Sequence, residues 1–343
     1  FSLNEQSASQ MGVANAGAAA NPENATTILF NPAGMSQLSG TNISFGAAVL
    51  DIDAEAKSDA RAVDQLEGEV NGSRGGDIAD PAVLPNFYLT HEINDSIDVG
   101  FGIHAPYGLA ADYENDFVGR YFADKTELTA IAFTPSIAIN NGKGLSMGLG
   151  LNIMYAEGRL SKSQDYSGAY ALAQQTAVDL GMPLNGGPFE PGYADIEGDD
   201  IGVTFRVGFL YELSPETQFG LSAQTGTELK LKGDAKISNY PSVQPGATGL
   251  NAVQSDITRD VEVPLAIPES ATLGIRHLLT EDITVLAGAT YAKWGRFKEL
   301  DINSRETGEP ITHITEEWKN TWQFNVGGIW QATPEWALKA GYA

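Results

Sequence analysis

From residue 40 onward the chain alternates large apolar residues with small or polar ones, and the second face is what restricts the fold. Residues 41–50 put Ile43, Phe45, Ala47 and Val49 on one side and Asn42, Ser44 and Gly46 on the other. Residues 147–155 set Met147, Leu149, Leu151, Ile153 and Tyr155 against Gly148, Gly150, Asn152 and Met154, and residues 97–104, 203–211 and 322–330 repeat the rhythm. A period of two is that of a β-strand. About eleven such segments occur, centred near 46, 87, 101, 133, 150, 207, 223, 272, 288, 325 and 339. A soluble sandwich would crowd its water-facing side with charge. Here that side is Gly, Ser, Asn, Thr and Gln with an occasional Arg, and the apolar side carries aromatics near segment ends at Tyr155, Tyr211, Tyr291, Trp322, Trp330, Trp336 and Tyr342. Strands of roughly ten residues with an apolar face bounded by aromatics are what a transmembrane β-barrel needs. Alternation alone would also fit a soluble sandwich, so the second face and the aromatics carry the distinction.

The connections agree. Short turns at 140–144, 214–217, 280–282 and 332–335 alternate with long acidic stretches at roughly 51–82, 107–125, 158–200, 234–262 and 296–317. Outer-membrane barrels pair short turns on one rim with long loops on the other. The formal charge is −24, from 44 acidic and 20 basic residues, and it collects in the long stretches: Asp51, Asp53, Glu55, Asp59, Asp64, Glu67, Glu69, Asp77 and Asp80 lie in the first. So few cations, in no run, exclude a nucleic-acid partner. With no cysteine there is neither a disulfide scaffold nor thiolate metal chemistry. The four histidines (91, 104, 277 and 313) lack metal-site spacing. Asp51-Ile52-Asp53-Ala54-Glu55 begins like a calcium loop, but Ala56 and Ala62 stand where Gly and Glu are required. Neither metal nor cofactor is expected. His91, His104 and Ser136 form no recognisable nucleophile motif, so an enzyme is not expected. No run of ~18 apolar residues exists. Phe1 leads directly into polar residues, so either the chain is cytosolic or a signal peptide was already removed. Residues 168–181 place Tyr170, Ala173, Ala177 and Leu180 at helical spacing inside the longest loop.

Residues 1–40 are rich in Ala, Gly and Asn and precede the first strand. FSLNEQSASQMGVANAGAA followed by ILFNPAGMSQLSG resembles the FadL family of outer-membrane transporters for long-chain fatty acids and other hydrophobic compounds. Asn31-Pro32-Ala33 is the centre of the match, with Asn4-Glu5 and Gly17 upstream. Pro106-Tyr107-Gly108-Leu109, Tyr211-Glu212-Leu213 and Pro268-Glu269 extend it along the whole chain. The resemblance implies an all-β membrane protein of the bacterial outer membrane: an antiparallel fourteen-stranded barrel (residues 41–343) with an N-terminal helical hatch (residues 1–40) plugging its lumen. About eleven strands are found here, and the chain stops at Gly341-Tyr342-Ala343 inside one, so the last three strands are expected to be missing from it.

The resemblance also implies a route. A groove among the external loops captures a long-chain fatty acid or related hydrophobic molecule, a pocket in the lumen binds it, the hatch rearranges, and the molecule leaves sideways through a gap at the third strand. Groove candidates are Tyr107, Leu109, Phe117, Tyr121, Phe122, Tyr170, Leu172 and Val178. Pocket candidates are Lys162 and Lys319, which match basic positions of the family, together with Arg206 and Arg276, inward by strand parity. Hatch and gap positions are Asn31, Pro32, Ala33, Gly100, Gly102, Pro106 and Gly108. The bland alternatives are loop packing, pairing of the cations with Glu157 or Glu212, and a plain strand end at Pro106. Outer-membrane lipid and lipopolysaccharide are the expected surroundings and a monomer the expected state. Uptake of aromatic or alkane hydrocarbons, or a lipid-acting or adhesive barrel without transport, would use the same fold.

Overall fold

The computed structural model describes residues 2–55, 62–64, 68–79, 81–308 and 310–343. Asp59, Glu67 and Asp80 of the first acidic stretch lie outside the described residues. Eleven strands follow one another in a single antiparallel path: β1 (Thr41–Leu50), β2 (Ala82–Asn94), β3 (Ile97–Asp112), β4 (Lys125–Asn140), β5 (Leu145–Gln164), β6 (Gly192–Glu212), β7 (Thr217–Gln224), β8 (Ser270–Leu278), β9 (Ile283–Ala292), β10 (Thr321–Gln331) and β11 (Ala337–Tyr342). They coincide with the eleven alternating segments. Their apolar faces are exposed, including Phe45, Ile137, Leu149, Phe205, Phe209, Trp322, Phe324 and Trp330, while Thr134, Ser136, Asn152, Thr204, Ser222 and Asn325 on the other face are buried. A wall with its grease outside and its polar groups inside suits hydrocarbon as solvent.

The inward face is lined by the N-terminal segment, which folds as α1 (Ala8–Met11), a 3₁₀ turn (Ala18–Ala20), α2 (Thr27–Phe30) and a second 3₁₀ turn (Pro32–Gln37). Glycines let it approach. Gly220, Gly274 and Gly288 stand opposite one another on β7, β8 and β9, beneath the backbone of Gly17, Ala19 and Ala20. Gly148 and Gly208 are paired on β5 and β6 beneath Asn31–Ala33, and Gly327 and Gly341 on β10 and β11 beneath Val13. Side chains then fasten the segment: Asn31 Nδ2 donates to the carbonyls of Ala19 (2.7 Å) and Phe209 (2.9 Å), Asn325 Nδ2 to Ala14 (2.6 Å), and Gln218 Nε2 to Ala20. Pro32 ends α2 by restricting the residue before it to extended backbone, seen at Asn31 (φ −158°).

Above the apolar band the structure departs from the expected loops. β5 and β6 run on for 20 and 21 residues. The 225–269 connection is largely a hairpin of Thr227–Gly246 against Gly249–Ile267. Its first strand adds to β6 from Lys232↔Asp199 to Ile237↔Ala194, and its second touches a hairpin of Glu299–Ser304 and Pro310–Thr315. Leu229, Leu231, Ala235 and Ile237 are buried between charged neighbours, a period of two that the acidic composition concealed. The expected helix is present as α3 (Ser167–Asp179), burying Ala173 and Ala177; Leu180, placed on the same face by spacing, is exposed just beyond its end.

Candidate functional site

An inner cavity of about 320 Å³ lies between the wall and the N-terminal segment, bordered by Gln6, His104, Tyr107, Asn152, Arg206 and Trp294 among others. Arg206 projects into it from β6. Its guanidinium donates to Gln224 Oε1, and Gln224 also accepts from Asn152 Nδ2 (3.2 Å), which Thr134 holds in turn through a 2.8 Å bond to Asn152 Oδ1. Among the described residues Arg206 has no carboxylate partner, and its Nε has no hydrogen-bond partner. Gln6 Oε1 and His104 Nδ1, on the same cavity, are also unsatisfied. Buried polar groups are nearly always paired, so several orphans around one cavity mark a place fitted for a polar group from elsewhere.

Next to it the wall is parted. β2 pairs with β3 only from Phe87↔Ile103 toward the short turn at 95–96, while β3 stays bonded to β4 up to Asp112, with a register shift between His104 and Tyr107. The freed parts of β2 and β3 border a largely apolar cavity of about 500 Å³, lined by Leu84, Pro85, Ala105, Gly108 and exposed Val83 and Ile131. Pro85 and Pro106 have no N–H to offer a ladder, which suits them to unpaired positions. The N-terminus covers part of the break: Ser2 bridges to Tyr107, Leu3 N donates to Pro106 O (3.0 Å) and Gln6 Nε2 to Ala105 O (2.6 Å). Leu3, His104 and Tyr107 line both cavities, so the two adjoin.

Two more cavities lie in the long connections. One, of about 320 Å³, is apolar and bounded by Leu109, Phe122, Leu128, Leu160, Phe297 and Trp318. A buried cluster that includes Tyr107, Met154, Leu229, Ile267, Trp294 and Phe297 closes it from the inner cavity. Tyr107 meets Trp294 edge-on at 6.4 Å. The other, of about 310 Å³, holds Lys162, Tyr166, Tyr240 and Arg259 among apolar walls.

The expected site residues are therefore distributed as follows. Leu109 and Phe122 share the outer apolar cavity, and Tyr107 stands at the inner cavity and the wall break. Phe117 stacks on Tyr113 (4.4 Å), Arg120 sits over Tyr121 (5.2 Å), and Tyr170 packs on Phe189 (5.4 Å). Leu172 and Val178 are exposed on α3. These five take no part in the outer apolar cavity. Of the four cations only Arg206 reaches the inner cavity: Lys162 is in an outer one, Lys319 is exposed, and Arg276 lies opposite Gln218 and Leu286, nearer the short turns. Pro106 and Gly108 border the wall break, but Gly100 and Gly102 do not; β-carbons there would meet Met35 and Ile28 (2.6 and 2.7 Å) and Tyr88 (2.9 Å). Arg259 and Tyr166 were not anticipated: only the hairpin pairing brings Arg259 to Lys162, whereas Tyr166 follows Lys162 by four residues in sequence. For metals, Glu299, Asp301 and His313 bring ligand atoms within 4.8 Å of one another, yet both ring nitrogens of His313 are engaged, with Asp301 (2.5 Å) and Thr315 (3.2 Å).

Comparison with known proteins gives this architecture a context. The profile of the family described as Outer membrane protein transport protein (OMPP1/FadL/TodX) matches residues 1–343. The long-chain fatty acid transport protein of Escherichia coli O6:H1 is 26% identical over 350 residues, which covers 100% of this chain and 76% of that protein. A putative outer membrane protein of Neisseria meningitidis serogroup B is 27% identical over 354 residues, again 100% and 76%. Among solved structures, a Pseudomonas aeruginosa FadL homologue superposes with a TM-score of 0.77 at 21% identity, covering 99% of this chain and 80% of that one. The Ralstonia pickettii toluene transporter TbuX gives 0.65 at 20% identity, covering 94% and 82%. The match over the full sequence, carried by a wall that is apolar outside and polar within, establishes that the chain belongs to the FadL family of outer-membrane β-barrel transport proteins.

Proposed function

We propose that this protein takes up long-chain fatty acids across the outer membrane: capture in the outer cavities, transfer to the inner cavity, movement of the N-terminal segment as a hatch, and lateral exit through the break between β2 and β3. The observation that carries this reading is Arg206, a cation without a carboxylate partner on a cavity that adjoins an apolar opening in the wall. A water-filled pore offers a greasy solute nothing, whereas each methylene removed from water is worth ~0.8 kcal/mol. One hydrogen bond to a carboxylate adds about 1.5–3 kcal/mol. Chain burial therefore sets affinity, and the arginine favours an acid over a neutral chain of equal length. The protein works as a monomer, with lipid against the apolar band, lipopolysaccharide around the acidic rim, and no catalytic step.

A second reading, uptake of neutral aromatic hydrocarbons, is favoured by the apolar lining of the wall cavity and the outer cavity beside Trp318. Arg206→Gln separates the two. Oleate uptake by cells carrying the variant should fall about tenfold or more, the worth of one charge-assisted bond, with toluene uptake unchanged. Unchanged oleate uptake in a folded variant rules out the fatty-acid reading.

A further inference from the structure

We propose that the inner cavity is fitted to a long-chain acid bearing a hydroxyl on one of its first carbons, a 2- or 3-hydroxy acid, in preference to the plain acid. Arg206 holds the carboxylate, and the amide oxygens of Gln6 and Asn15 accept from the hydroxyl. This rests on the uptake reading above and narrows its substrate class.

A carboxylate only accepts hydrogen bonds. It therefore suits Arg206, whose Nε lacks a partner, but not a group that itself accepts. Two such acceptors line the same cavity. Gln6 Oε1 and Asn15 Oδ1 are buried, and neither has a hydrogen-bond partner among the described residues. Neither amide gains by turning over, because each NH₂ is in use: Gln6 Nε2 donates to Ala105 O (2.6 Å) and Asn15 Nδ2 to Asn4 O (3.3 Å). Gln6 is only 2% exposed, so its oxygen is sealed from bulk water. His104 Nδ1, unpartnered on the same cavity, donates or accepts according to its tautomer. A buried acceptor left unpaired is costly, and only a donor relieves it. An unsubstituted fatty acid bound as its anion has no donor. A hydroxyl supplies one.

The hydroxyl belongs close to the carboxyl. Gln224 is bonded both to the guanidinium of Arg206 and to the hydroxyl of Tyr107. Tyr107 lies two residues along β3 from Ala105, whose carbonyl holds Gln6. Asn15 is tied to Asn4, two residues before Gln6, and Leu3 between them and the wall bonds Pro106. Arg206 and the two amides thus converge on the side of the cavity that meets the wall break. Across from it Thr272, Thr290 and Gln323 stand side by side on β8, β9 and β10, so that wall also offers hydroxyls and an amide rather than hydrocarbon. The apolar tail has its place in the wall cavity, which shares Leu3, His104 and Tyr107 with this one.

The test is equilibrium binding of stearate, 2- and 3-hydroxystearate, their methyl ethers and 12-hydroxystearate to the purified protein in detergent. One of the first two hydroxy acids should bind about tenfold more tightly than stearate. Its methyl ether, which accepts but cannot donate, should lose that gain; this comparison needs no variant. Gln6→Leu and Asn15→Gly should each lower the ratio of hydroxystearate to stearate affinity, and the double variant should bring it near one; glycine suits position 15, where φ is 56°. Hydroxy acids no tighter than stearate, an ether as tight as its hydroxy acid, or a ratio that survives in the double variant overturns the inference. So does 12-hydroxystearate binding more tightly than both. Lack of any hydroxyl preference while Arg206→Gln still cuts oleate uptake sinks this inference alone. An intact preference with undiminished oleate uptake in Arg206→Gln sinks the uptake reading alone.

Discussion

Gly220→Ala is the sharpest probe of how the N-terminal segment is held. A β-carbon at 220 would overlap the carbonyl of Ala19 and crowd the nitrogen of Ala20 (2.8 Å). The obstacle is backbone, so no side-chain rotation relieves it. Either the overlap persists, at about 1–3 kcal/mol for overpacking, or the segment lifts. Lifting stretches two buried hydrogen bonds, from Asn31 to Ala19 O (2.7 Å) and from Gln218 to Ala20 O, each worth about 1–3 kcal/mol when its partner is left unsatisfied. Because those bonds oppose lifting in the unsubstituted protein as well, the substitution shifts the balance by the overlap alone: about 1–3 kcal/mol lowers the seated-to-lifted ratio roughly 5- to 150-fold. The wall should be spared, because β7 keeps its ladders to β6 and β8. Hydrogen exchange reads both at once: amides of residues 13–37 should lose protection while those of 217–224 keep it, and gel mobility should still show a folded barrel. Gly187→Ala is the control, since a β-carbon there meets nothing within 4 Å. Undiminished protection of 13–37 in Gly220→Ala would refute the close-approach argument, as would a wall that unfolds along with the segment.

Three further outcomes are expected. Trp294→Ala should join the outer apolar cavity to the inner one, raising single-channel conductance in planar bilayers at a stability cost of about 3–5 kcal/mol; unchanged conductance would show that the aromatic cluster is not the barrier. Gly108→Phe, at the wall break beside Leu3 (3.0 Å), should block uptake in a protein that still binds oleate, whereas Gly100→Phe should disturb Met35 and Ile28 and impair folding; equal behaviour of the two would discount the break as the exit. The hydrogen bond to Asp301 raises the His313 pKa, assisted by the charges of Asp301 and Glu299. Its support of the 299–315 hairpin is therefore full below the free histidine value of about 6.5 and is lost as pH rises through the raised value. Protection factors in that hairpin should fall across that window and become flat in Asp301→Asn, and a wild-type profile without the fall would count against the pairing.

The wall was legible because lipid and lumen impose opposite demands on alternate residues. Phe205, Val207 and Phe209 against Thr204, Arg206 and Gly208 need only a period of two. The short turns followed from their Asn, Gly, Ser and Pro content. The hairpin 227–267 was hidden because Lys230, Lys232, Asp234 and Lys236 made it resemble a solvated loop, although Leu229, Leu231, Ala235 and Ile237 already kept strand rhythm. Parity put Arg206 inside correctly, but it could not distinguish a cation on a cavity from one nearer the turns such as Arg276. Gly148 read as alternation alone; that its missing side chain makes room for Pro32 and Ala33 depends on a contact 115 residues away in sequence. Lys162 and Lys319 are equivalent by resemblance, yet strand extension leaves one half-buried in a cavity and the other exposed.

The acidic rim has a chemical consequence for anything that arrives there. Exposed carboxylates such as Asp51, Asp53, Asp116, Glu190, Glu197, Asp199, Asp256 and Asp260 set up a negative potential that reaches about one Debye length, ~8 Å, at physiological ionic strength. Protons concentrate in such a field, tenfold for every ~1.4 kcal/mol of potential. On the fatty-acid reading proposed above, an acid within that layer meets a lower pH than the bulk, which raises the fraction carried as the neutral acid. On that reading the rim carboxylates repel the anion and favour the neutral acid, and ionisation is favoured again beside an inward cation such as Arg206. Added salt should flatten this layer and shift the bulk pH at which uptake is fastest.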